Sequence, residues 1–226
     1  MKGEGKTIPL FLADEQELYR QGLRQDLSRQ AGIEVLGEAA TGEEALAQLE
    51  SLPPEVVVVC SFTLPGFSHL VRQVQRRVPS AAIVALAEKK DGQDIFQALS
   101  AGAVALLTRG VGGEVWARTI REASEGEIPI TRDVAETPAV ARLLLQEFQG
   151  LQQHPALVPL LVRLCSREER ILTQLAGGLP LQDIASALGA DPQVLLRSLA
   201  SVCRKLVANG HVQQAALALR GAVEAA

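Results

Sequence analysis

The first 130 residues alternate two hydrophobic periods, and this alternation limits the fold more than any other feature of the 226-residue chain. Short apolar runs stand at Ile8–Ala13, Ile33–Ala39, Val56–Cys60, Ala82–Ala87 and Val104–Leu107. A helical pattern follows each, at Glu15–Gln30, Gly42–Ser51, Ser68–Arg77, Asp91–Ala101 and Gly113–Glu125. Five strands alternating with five helices predict a doubly wound α/β fold, with a five-stranded parallel sheet covered on both faces. The run Val56–Cys60 has only apolar or thiol side chains, as a strand buried on both faces requires. In such sheets, ligands and chemistry gather beyond the carboxyl ends of the strands, so a site is sought there.

After Glu127 no strand-like run remains. Val140, Leu143, Leu144 and Phe148 fall at helical spacing, and Gly150 to Pro159 reads as a linker or an interrupted helix. Ser166 and Glu169 are spaced as a capping box, and Gly177-Gly178 stops the helix they open. Leu181–Leu188 is a short helix ended by Gly189. Asp191-Pro192 starts a longer one to about Val207, and Val212–Val223 forms a last helix. Helix, turn, short helix, tight turn and longer helix is the spacing of a small all-α helix-turn-helix domain. The expected organisation is a domain over 1–131, a helical linker over 132–163 and a helix-turn-helix domain over 164–226.

Charge divides the same way. Residues 151–226 hold 7 basic and 5 acidic side chains and are the only net positive part, while 1–131 hold 13 and 18. Apolar residues at 47% suffice for a core and exclude a disordered chain. Aromatics at 3% argue against stacking on single-stranded nucleic acid. No apolar run approaches the length of a membrane span, and the polar start of the chain has no export segment, so a cytoplasmic protein with no membrane contact is expected. Cys60, Cys165 and Cys203 form no CxxC and read as reduced thiols. His69, His154 and His211 stand apart from any Cys or acid at ligand spacing, and no P-loop, nucleophile elbow or paired-carboxylate pattern occurs. No enzyme activity, cofactor or metal is expected.

Several segments together resemble a known family. The stretch LFLADEQELYRQGLRQDL is similar to the first strand and helix of a bacterial receiver domain, and GEAATGEEAL to its second strand and helix start. Leu64–Gly66 and Ala98–Arg109 continue the match. Leu164–Ala190 resembles a LuxR-type DNA-binding domain, continued by Arg204-Lys205-Leu206 and Ala208-Asn209. The chain thus resembles a NarL/FixJ-type response regulator. Members of that family are cytoplasmic transcription regulators of two-component systems, usually switched by phosphorylation of an aspartate.

The resemblance implies a phosphorylation pocket, and this chain departs from it. The acidic pair that would hold Mg²⁺ falls at Asp14-Glu15. The phosphoryl acceptor falls at Ser61, with Cys60 the alternative, and no Asp or Glu occurs from Val56 to Ala87. A hydroxyl or thiol cannot form the acyl phosphate, nor supply the carboxylate oxygen that the metal prefers. The family's hydroxyl residue falls at Ala87, its lysine at Arg109 and its switching aromatic at Leu106. The resemblance with these losses implies a degenerate receiver that works without phosphorylation. Asp14-Glu15 then read as acids opening a helix, as a remnant metal site, or as partners of Arg109 in an ion pair.

On the helix from Pro192, Leu195, Leu199, Val202 and Leu206 form one apolar stripe. Gln193, Arg197, Ser201 and Arg204 form the opposite face, with Lys205 nearer one edge, suited to base edges and phosphates of double-stranded DNA. The family's Lys and His at this helix start are Leu196 and Ser198. The expected function is a DNA-binding transcription regulator independent of phosphorylation. A homodimer is expected, as is a regulatory protein partner on the receiver. The rival reading is a protein-interaction module that has lost DNA binding.

Overall fold

The computed structural model describes residues 7–60, 66–153 and 157–224, with side chains described as far as 217. Two compact units divide the chain, Met1–Ile130 and Thr131–Ala226. In the first, strands β1 (Ile8–Ala13), β2 (Ile33–Ala39), β3 (Val56–Cys60), β4 (Ala82–Ala87) and β5 (Ala105–Thr108) alternate with helices α1 (Glu17–Ser28), α2 (Gly42–Leu49), α3 (Phe67–Arg77), α4 (Gly92–Ala101) and α5 (Gly113–Ser124). The strands form one parallel sheet in the order β2-β1-β3-β4-β5, so the doubly wound fold expected from the alternation is present. The order reverses between β1 and β3, which opens the carboxyl edge of the sheet there.

Alternation along each strand builds two cores. Leu10, Leu12, Val56, Val58, Cys60, Val84, Leu86 and Leu107 pack with Leu23 and Leu27 of α1 and with Trp116 and Ile120 of α5. The other side chains, such as Phe11, Val57, Val59 and Ile83, are equally buried. One glycine is needed for this packing. A Cβ at Gly37 of β2 would lie 2.8 Å from the Phe11 ring, so a side chain there would push Phe11 out of place. The helix starts follow their chemistry. Asp91 and Asp94 form a reciprocal capping box on α4. Thr41 Oγ1 accepts the Glu44 N–H at 3.2 Å, and the Glu44 carboxylate takes the Ala40 N–H at 2.9 Å.

The second unit holds α6 (Ile130–Glu136), α7 (Pro138–Gln152), a 3₁₀ turn at Val158–Leu160, α8 (Ser166–Ala176), α9 (Leu181–Ala187) and α10 (Pro192–Glu224). Within it α7 packs on α8. Val140, Leu144 and Phe148 are buried and Leu143 half-buried. One sequence expectation is corrected here: Pro192–Val207 and Val212–Val223 are one continuous helix. Asn209-Gly210 does not break it, since a mid-helix glycine costs only about 1 kcal/mol. The Asn209 side chain is instead buried and pairs with both backbone groups of Val162, accepting from its N–H at 2.7 Å and donating to its C=O at 3.0 Å.

Candidate functional site

The carboxyl ends of β1, β3 and β5 bring Asp14, Cys60 and Arg109 together. Asp14 follows β1 and is 6% exposed. Its Oδ1 accepts the Gln16 N–H at 2.7 Å, which turns the chain into α1. The Arg109 guanidinium reaches over from the end of β5. Its Nη2 lies 3.4 Å from Asp14 Oδ2 and donates to Cys60 Sγ at 2.8 Å, while Nη1 donates to Gln16 Oε1 at 2.9 Å. Asp14 thus both accepts an N–H at the start of α1 and pairs with Arg109. Glu15 is exposed.

The guanidinium is also stacked. Its carbon lies 4.4 Å from the centre of the Tyr19 ring on α1, and the Tyr19 hydroxyl is hydrogen-bonded to Trp116 on α5. A planar guanidinium suits such a slot where an ammonium would not. Burial pushes the Cys60 thiol far above its usual range, and its hydrogen bond to Asp14 pushes the same way. Cys60 is therefore a neutral thiol, accepting from Arg109 and donating to Asp14. A thiolate nucleophile is not available at this position. Ala87 ends β4 opposite Thr108 and offers only a methyl group. Leu106 is buried. Ser61 and His154 lie outside the described residues.

The second candidate site is the helix-turn-helix of the second unit. Gly178 and Gly189, with φ of 86° and 58°, make the turns between α8, α9 and α10. Asp191 Oδ1 accepts the Gln193 N–H at 2.7 Å and so caps α10. Leu195, Leu199, Val202 and Leu206 are buried, and Gln193, Arg197 and Arg204 are exposed on the other side. Val194 and Leu196, which flank the polar face, are half-buried. Ser201 and Lys205 depart from the expected face. The Lys205 ammonium donates to Glu168 Oε2 at 2.6 Å, and Ser201 hydrogen-bonds the same carboxylate. Glu168 is 5% exposed and its Oε2 also accepts the Cys165 N–H at 2.7 Å. The cap of α8 is thus Cys165 with Glu168, one residue before the expected Ser166 with Glu169. Sequence reasoning missed Glu168, whose only signal was its place three residues after an N-cap.

Comparison with known proteins finds relatives along most of the chain. Residues 10–120 match the family profile described as "Response regulator receiver domain". The response regulator GacA of Pseudomonas aeruginosa is 28% identical over 222 residues, covering 97% of this chain and 99% of its own. A transcriptional regulatory protein of Bacillus subtilis, YxjL, is 27% identical over 96% of this chain and 97% of its own. The solved RcsB response regulator of Salmonella typhimurium shares the fold with a TM-score of 0.51 at 18% identity, covering 88% of this chain and 93% of its own. Among the described residues, no helix is long and apolar enough to cross a membrane.

Proposed function

We propose that the chain, whose residues 10–120 match the receiver-domain profile and whose relatives are named as transcriptional response regulators, is a DNA-binding transcription regulator acting without aspartate phosphorylation. The observation that carries the DNA part is the face of α10. Gln193, Arg197 and Arg204 are exposed on the side opposite a buried apolar stripe, directly after a capped turn. That is the placement from which a recognition helix reaches base edges and phosphates. The independence part rests on chemistry. No carboxylate exists from Val56 to Ala87, and Asp14 already holds Arg109. The first unit then serves as a constitutive platform for a second copy of the chain or for a regulatory protein. The domain reading that goes with this is a degenerate receiver over 1–131 and a DNA-binding domain within the second unit.

Fluorescence anisotropy with duplex DNA at low salt tests the reading. We expect binding that weakens steeply with added salt, since phosphate neutralisation releases counterions. Pre-incubation with acetyl phosphate and Mg²⁺ should leave that affinity unchanged, and the intact mass should gain no phosphoryl group. A stoichiometric phosphoprotein removes the independence part. No binding at low ionic strength removes the DNA part and leaves a protein-interaction module in its place.

A further inference from the structure

A receiver of this family implies a divalent cation at the acidic pair after β1, and the residues of this chain do not fit one. Mg²⁺ demands a near-octahedral shell of oxygen ligands. Here the buried carboxylate of Asp14 faces a guanidinium, the neighbour on β3 is a neutral thiol, and a cation already stands at the end of β5. A metal ion beside Asp14 would meet the like charge of Arg109 in a poorly solvated pocket.

We propose that the Arg109 guanidinium is the resident cation of this pocket, taking the electrostatic place of the divalent ion and excluding it. The arrangement is built for a fixed occupant. Arg109 reaches Asp14 after β1, Cys60 at the end of β3 and Gln16 before α1, and so joins three strand ends in one cluster. Tyr19 closes the open side of the guanidinium plane, and Trp116 ties Tyr19 to α5. A dissociable ion would leave the pocket in two charge states. A covalently attached one keeps Asp14 neutralised at every metal concentration. The strand ends are thereby held in one arrangement without a ligand, which makes Arg109 a positioning residue. This inference stands apart from DNA binding, because none of its groups lies in the second unit.

The chain has one tryptophan, so Trp116 fluorescence reports directly on this cluster. The test titrates the full-length protein with MgCl₂ at constant ionic strength, following Trp116 emission and the melting temperature. The wild type is expected to give flat curves for both. Arg109→Gln keeps volume without charge; it should melt lower and regain part of the loss as MgCl₂ is added, because binding to the native state alone stabilises it. A saturable wild-type response overturns the proposal. So does an Arg109→Gln protein that ignores Mg²⁺ as fully as the wild type. Should that variant fail to fold, the wild-type titration still decides, since a saturable metal response there overturns the proposal. Neither readout involves DNA, so this failure is distinguishable from failure of the regulator reading.

Discussion

Lys205→Ala lowers the stability of the second unit by about 2–4 kcal/mol, read by calorimetry as an earlier melting transition. Breaking a buried ion pair from one side costs roughly 3–5 kcal/mol, because the other charge stays buried and unpaired. Lys205 is itself 21% exposed, which screens the pair and brings the figure down. The charge left behind is Glu168, held only by the Cys165 N–H and Ser201. Glu168→Gln in the Lys205→Ala background should restore part of the stability, since the two sites share one interaction. Read from the sequence, Lys205 is a phosphate contact whose loss would flatten the salt dependence of DNA binding. With its ammonium 2.6 Å from Glu168, its loss should change folding and leave the salt slope nearly as it was. The same carboxylate sets an acid limit. Burial alone would raise its pKa, but Lys205, the Cys165 N–H and Ser201 outweigh burial and hold it below the usual glutamate value. A lowered folded pKa stabilises above the unfolded value and is lost as pH falls through the folded one. The second unit should therefore lose stability below about pH 4, and Glu168→Gln should blunt that loss.

Arg197→Ala is expected to weaken duplex binding by about 1–3 kcal/mol, or roughly 5- to 150-fold, and to relax sequence preference. Arg197 sits one turn into α10, where its exposed guanidinium can reach base edges from a capped helix start. Arg204 lies about two turns further along the same side, where phosphates are the nearer partner. Arg204→Ala should then weaken all duplexes alike and reduce the salt slope by about one. Anisotropy against a selected duplex and a scrambled one separates the two outcomes. Equal losses on both duplexes for Arg197→Ala would remove it from base readout.

The sheet was legible because its strands are local and periodic. Four of the five runs have the observed ends, and the fifth slips by one residue, from Val104–Leu107 to Ala105–Thr108. The helix ends moved by one or two residues, where capping depends on side-chain geometry and not on residue type alone. The two charged clusters were less legible, because their members are far apart in the chain. Arg109 meets Asp14 across 95 positions and Cys60 across 49, and Lys205 meets Glu168 across 37. A family position could suggest the Arg109 pair but not its thiol, Gln16 or Tyr19 partners. Nothing in the α10 pattern distinguished Lys205 from Arg204, since only the neighbouring α8 decides which cation is claimed. The expected break between Val207 and Val212 failed for a similar reason: Asn209 uses its amide on the backbone of Val162, and the helix runs on.

Because α10 runs unbroken through Gly210, its two ends share a single rotational phase. The arginine-bearing start and the stretch beyond Val212 are separated by a fixed number of residues at about 100° and 1.5 Å each. One residue inserted at Gly210 would turn the far end by about 100° relative to Arg197, and a second by as much again. Four together would bring it back to within about 40° and lengthen the rod by about 6 Å. Whatever the far end of α10 meets is thus geared to the orientation of Arg197 and Arg204, and chain length at this point is a setting of angle as much as of reach.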